Sequence, residues 1–216
     1  MLEAEGVDYA LVSSALALYY DCPAGNAEVL AAAARYPRLR PMLCVNPRRP
    51  EEARAELASA RERGFVGVKL HPTSHEYHLD STEAEVVLAS CEREGLPVLT
   101  HAAEDDPRCA PPALAAVAAR HRDLVLVVGH ACLFSSREAV TVAERHPNVY
   151  LELSVNYESG KLEDTLARLG PGRLLFGSDA PLHPPRLMLE RVRLLGLSRE
   201  QEEQIVSGNA RRVFGL

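Results

Sequence analysis

From residue 7 to the end of the chain, short apolar runs alternate with longer amphipathic stretches. Runs of a few apolar residues bounded by Gly, Pro or polar turns read as buried strands, and longer stretches with apolar positions three or four apart read as helices. Strands are expected at residues 7–14, 41–45, 65–71, 97–101, 124–130, 149–154 and 174–179. Helices are expected at 26–36, 50–63, 82–94, 111–120, 136–145, 161–169 and 186–195, with a closing helical segment over 198–214. Local signals place the boundaries: Asn26 as a cap, Pro50 followed by two Glu in a first turn, and Gly64 and Gly95 as stops. Thr82 with Glu85 and Ser135 with Glu138 stand at capping-box spacing. Residues 1–6 read as the tail of a helix ended by Gly6, and 72–80 as a polar loop.

Seven strands, each followed by a helix, imply one domain over 1–216 with a parallel sheet and helices outside it. The choice lies between a doubly wound open sheet and a (β/α)8 barrel. No Gly-rich phosphate fingerprint follows the first strand, as a dinucleotide fold requires. Lys69, His71, His101, His130, Ser154 and Asp179 instead fall at or near the C-terminal ends of five strands, the rim on which barrel active sites are built. Lys69 and His71, two apart, point the same way.

Composition narrows the partners. A net charge of -6 with no basic clusters argues against nucleic acid and leaves a small molecule as the expected ligand. There is no apolar run of membrane-spanning length and no basic-then-apolar leader, so a cytoplasmic protein is expected. The five cysteines form no CxxC pair and read as reduced thiols, with Cys109 and Cys132 in packing roles. Arg greatly outnumbers Lys, which occurs only at Lys69 and Lys161, so a Lys inside a strand stands out.

Two imidazoles and a carboxylate converging in an apolar cavity offer the borderline nitrogen and hard oxygen donors that a divalent ion such as Zn2+ takes. Such an ion acidifies a bound water, and a neighbouring carboxylate takes the proton. Asp179 before Ala-Pro equally suits a turn cap. His121 and His146, in last helical turns, read as surface residues. His75, His78 and His183 read as solvated rim-loop residues.

Four segments in order, Gly-Val-Lys-Leu-His-Pro, Gly-Leu-Pro-Val-Leu-Thr-His-Ala, Val-Gly-His-Ala and Leu-Phe-Gly-Ser-Asp-Ala-Pro, resemble the amidohydrolase superfamily. The ending Ile-Val-Ser-Gly-Asn-Ala-Arg-Arg-Val-Phe-Gly-Leu resembles its C-terminal helix, and the nearest branch includes aminocarboxymuconate-semialdehyde decarboxylase. The resemblance implies one divalent metal, Zn2+ first, with His101 on barrel strand five as a ligand. It implies His130 on strand six as the catalytic histidine, Asp179 on strand eight as ligand and proton shuttle, and Lys69 and His71 as substrate-binding pocket residues. The family opens with a strand carrying His-x-His, and none precedes Val7, so the seven strands correspond to strands two to eight. A late start, closure of the barrel by a partner chain, or loss of the metal each accounts for that gap, and a homo-oligomer is a separate expectation. The expected function is metal-dependent hydrolysis of a small molecule, with nonoxidative decarboxylation of an unsaturated or aromatic acid, or a metal-free binding barrel, as alternatives.

Overall fold

A computed structural model describes residues 2–103, 105–156 and 159–216, the side chains of 134, 135 and 159 excepted. Its strands are β1 (Ala10–Val12), β2 (Leu39–Cys44), β3 (Gly67–Leu70), β4 (Val98–Thr100), β5 (Leu126–Val128), β6 (Val149–Glu152) and β7 (Leu174–Leu175). They form one sheet in sequence order, every neighbouring pair parallel. This is the (β/α)8 barrel with seven of its eight strands. Six of the seven strands are shorter than the apolar runs that predicted them, because hydrophobicity reports burial and the ladder stops earlier, whereas β2 starts two residues before its run. The clearest case is β7, which ends at Leu175 although the run continues to 179. Phe176 there donates its N–H to the Ile205 carbonyl at 3.0 Å instead of extending a strand.

Among the described residues no strand lies on the outer side of β1 or β7. A single 3-10 turn, Glu3–Glu5, precedes β1 in place of a helix tail, closed by Gly6 in the left-handed region (φ 70). The Glu5 carboxylate accepts the Arg186 backbone N–H at 3.0 Å and the Arg186 guanidinium at 2.9 Å. That ion pair ties the turn before β1 to the helix after β7.

The helices are α1 (Ala15–Tyr19), α2 (Cys22–Arg35), α3 (Pro50–Ala58), α4 (Pro72–His75), α5 (Thr82–Glu94), α6 (Pro111–Arg120), α7 (Ser136–Arg145), α8 (Ser159–Leu169), α9 (Pro185–Arg193), α10 (Arg199–Glu203) and α11 (Asn209–Phe214). A π turn, Gln204–Gly208, joins the last two into the expected closing segment. Three boundary expectations are corrected, the first being that α3 ends at Ala58 with Ser59 as its C-cap, five residues short of Gly64. Asp21, not Asn26, caps α2 by accepting the Ala24 N–H at 2.9 Å. Asn26 lies inside the helix, fully buried, where its amide takes the Cys44 N–H (2.9 Å) and donates to the Cys44 carbonyl (2.8 Å). Ser81, not Thr82, caps α5, and the Ser135 side chain lies outside the described residues. The loop 72–80 also contains the short helix α4.

Alternation along the strands divides the apolar residues into two reservoirs. Outward positions such as Leu43, Val68, Leu70, Val98, Leu126, Leu151 and Leu174 pack under the helices in the main core. Inward positions Leu11, Met42, Leu99, Val127, Tyr150 and Leu175 meet Phe214 of α11 in a second cluster. Gly67 makes room for this plug: a Cβ there would lie 3.1 Å from both Met42 Cε and Phe214 Cε1. The lower lumen is thus filled with hydrocarbon, and the polar residues are left to the upper end.

Candidate active site

Above the plug, the inward series continues as Lys69 and His71 on and after β3, His101 after β4, Glu152 and Ser154 on and after β6, and Asp179 beyond β7, and His130, three residues after inward Val127, joins them through the left-handed turn that follows β5. The His71 and His101 rings stack with centroids 4.1 Å apart and an interplanar angle of 10°. His130 meets His101 edge-on at 5.1 Å. Burial, together with mutual repulsion and the charge of Lys69, depresses all three imidazoles, to about 2 for His71 and about 4 for His101 and His130. They are therefore neutral at pH 7, with ring lone pairs available.

A carboxylate that the sequence reading passed over organises the wall opposite. Glu152 Oε2 accepts the His130 backbone N–H at 3.0 Å and the Ser154 hydroxyl at 2.8 Å, and Oε1 accepts the Ser154 N–H at 2.7 Å. Ser154 Oγ also lies 2.8 Å from His130 Nδ1. With the serine proton committed to Glu152, Nδ1 carries the hydrogen and donates to Oγ, leaving the Nε2 lone pair for the pocket. A base oriented through its second nitrogen is a common catalytic arrangement. Desolvation raises the Glu152 carboxyl above the usual glutamate value, opposed by these hydrogen bonds and by Lys69. Lys69 is in turn lowered by burial, against the attraction of Glu152 and Asp179. The available signal was alternation: Tyr150, Glu152 and Ser154 share one face of an otherwise apolar strand.

Backbone geometry is unusual along this rim. His130, Ala131 and Cys132 are consecutive left-handed residues (φ 58, 45 and 61), a conformation that costs roughly 1–2 kcal/mol each for non-glycine residues. Gly129 opens that coil because a Cβ there would meet the Thr100 carbonyl at 2.8 Å. Val155 and Asp179 are also left-handed (φ 62 and 60). Strain of this kind clusters where a site must hold side chains in fixed directions.

The structure brings Lys69, His71, His101 and His130 together. Asp179 stands apart as an exposed rim residue, acting on Lys69, His101 and His130 through its charge. His183 also bears electrostatically on His130. Other histidines depart from expectation. His121 is buried, not a surface residue, and its ring nitrogens lie 2.8 Å from Glu92 Oε2 and 3.2 Å from Glu85 Oε2. His75 is buried too, beside Cys22, because α4 folds it inward from the loop. His78 is exposed, as expected.

Solved structures share this architecture. An uncharacterised TIM-barrel protein from Bordetella bronchiseptica superimposes with a TM-score of 0.82 at 23% identity, over 99% of this chain and 80% of that one. The 5-carboxyvanillate decarboxylase LigW from Sphingomonas paucimobilis gives 0.79 at 16% identity, over 100% and 81%. A 5-carboxyvanillate decarboxylase from Novosphingobium aromaticivorans, complexed with manganese and 4-hydroxy-3-methoxy-5-nitrobenzoic acid, gives 0.80 at 17% identity, over 100% and 78%. No curated protein matches the sequence. The family model for amidohydrolases matches residues 11–216, nearly the whole length. The chain belongs to the amidohydrolase family.

Proposed function

We propose that the lumen site decarboxylates a small aromatic or unsaturated carboxylic acid without a redox step, using a divalent ion. The observation that carries this reading is the hydrogen-bonded series Glu152, Ser154, His130, which presents one oriented imidazole nitrogen to the pocket. Decarboxylation needs a proton delivered to the carbon that loses its carboxylate, with the electron pair of the broken C–C bond retained by the substrate and CO2 released. In this reading Asp179, exposed at the rim, relays that proton from solvent to the carbon, the His130 Nε2 lone pair accepts a hydrogen bond from the substrate, and Lys69 is the cation that a substrate carboxylate would face. The likeness to two 5-carboxyvanillate decarboxylases supports the same direction.

The donors fit such an ion by chemistry, being neutral imidazole and carboxylate. Three such donors do not converge within 4.8 Å of one another in the lumen among the described residues. His101 and Asp179 are the residues that the family resemblance would assign to hold it. When bound, the ion supplies a Lewis acid that polarises substrate oxygens. Zinc or manganese suits this set, and manganese is the ion named in the Novosphingobium structure.

Hydrolysis is the second reading, favoured by the exposure of Asp179 at the rim, where water reaches it. The test is incubation of the Mn2+- or Zn2+-supplemented protein with hydroxybenzoate and unsaturated acids, and separately with lactones and amides, followed by 13C NMR. Labelled CO2 from an acid, abolished in Asp179→Asn, supports decarboxylation. Turnover of lactones or amides alone transfers the site to hydrolysis. A folded protein inert to both sets with either metal sinks the proposal.

A further inference from the structure

We propose that Cys22, Cys44 and His75 form a second metal site, for a zinc-class ion, beside the lumen and independent of His101 and Asp179. Their ligand atoms all lie within 4.8 Å of one another, and all three residues are buried, at 4%, 0% and 7% exposure. Cys22 Sγ stands 4.0 Å from His75 Nε2, and both face the Ala17 carbonyl, at 3.4 and 3.3 Å. Tetrahedral zinc, with bonds of about 2.3 Å to sulfur and 2.0 Å to nitrogen, places its donors roughly 3.6–3.8 Å apart. Closing by a few tenths of an ångström for the Cys22–His75 pair, and by at most about 1 Å for the others, therefore makes a three-donor site. The Ala17 carbonyl, or a water from the adjoining 120 Å³ cavity next to Asn46 and Ser74, provides a fourth ligand.

These donors come from three elements, with Cys22 opening α2, Cys44 ending β2 and His75 ending α4. Simple core packing would not need two thiols and an imidazole to meet edge to edge at such a junction. The backbone of Cys44 is clamped on both sides by the Asn26 amide, so its sulfur is held in place before any ion arrives. His75 Nδ1 is buried with no hydrogen-bond partner, as is Glu52 Oε1, whose carboxylate bears electrostatically on Cys22. The Cys44 thiol and His75 draw the Cys22 thiol below its ordinary value, against the opposing effect of burial. Thiolate and imidazole together select zinc or copper(I) over magnesium, calcium or manganese. Binding releases the thiol protons. Two thiolates also neutralise the dication, which a buried site requires. The ion would pin α1, whose Tyr19 ring lies 6.3 Å from His71, to the rim of the lumen.

The experiment is a Co2+ titration of the reduced, chelator-stripped full chain. One equivalent should develop an intense thiolate-to-cobalt charge-transfer band that Zn2+ displaces. Cys22→Ser and Cys44→Ser should lose the band and Asp179→Asn should keep it. In the wild-type chain, Zn2+ should slow alkylation of Cys22 and Cys44, located by mass spectrometry, by about tenfold, because a metal-bound thiolate is withdrawn from reaction. That second readout needs no variant to fold. Weak d–d bands without charge transfer, a band surviving both cysteine variants, or unchanged alkylation of the two thiols would each overturn the site.

Discussion

Glu152 occupies the space that a side chain on Gly177 would need: a Cβ built there would lie 1.8 Å from Glu152 Oε1. The glycine of the Phe-Gly-Ser-Asp run thus sets the position of the carboxylate that orients His130. Gly177→Ala should force Glu152 out of its hydrogen bonds and destabilise the fold by about 1–3 kcal/mol, the usual scale for overpacking. Urea denaturation checks the stability, and a loss of turnover larger than the loss of folded protein checks the coupling to the site.

Ser154 transmits the same wall to the imidazole. Ser154→Ala removes the acceptor of the His130 Nδ1 proton while leaving Glu152 its bond from the His130 backbone. Turnover should fall about 10²-fold, the low end of what an oriented acid or base contributes, with KM little changed. A fall in KM-limited binding with unchanged kcat would assign Ser154 to substrate contact instead.

The depressed imidazoles make the metal-stripped protein acid-sensitive. Below about pH 6.5 the unfolded chain protonates His71, His101 and His130, while the native state resists until about 4 for His101 and His130 and about 2 for His71. The unfolded state then binds more protons, so stability falls as pH drops from about 6.5 towards 4, by at most about 1.4 kcal/mol per pH unit per imidazole. Glu152 acts oppositely, since its raised carboxyl favours the native state at low pH and that contribution is lost as pH rises through its titration. Three groups against one leave the imidazole slope dominant. Denaturation midpoints at pH 7, 6 and 5 should shift in steps, and His130→Asn should flatten the profile.

Asn26→Ala should cost about 2–6 kcal/mol, because it strands both the N–H and the carbonyl of buried Cys44, at roughly 1–3 kcal/mol for each group left unpaired. Thermal melting measures the loss. The same variant should weaken Co2+ binding at Cys22, Cys44 and His75 by freeing the Cys44 backbone.

The order of strands, their parallel pairing and the convergence of Lys69, His71, His101 and His130 were legible in the sequence, because period-two alternation and rim placement are local properties. What was illegible depended on long-range neighbours. Asn26 looks like a cap from its own residue type, and only the arrival of Cys44 from β2 makes it a buried clamp. His121 sits at a helix end that suggests solvent, and only Glu85 and Glu92 of α5 explain its burial. The meeting of Cys22, Cys44 and His75 has no motif, since its members are brought together by the stacking of three successive units. Glu152 is the exception, a charge at an inward position of an apolar strand that the alternation rule alone would have exposed.

The separation of the sheet into an outer reservoir under the helices and an inner lumen gives adjacent residues different fates. Leu151 belongs to the scaffold and Glu152 to the chemistry, yet they are neighbours in the chain. A saturation scan scored for abundance and for activity should therefore show a beat of two residues along β6. The two scores would fall out of phase there, and that phase difference gives the inside of the barrel without any ligand.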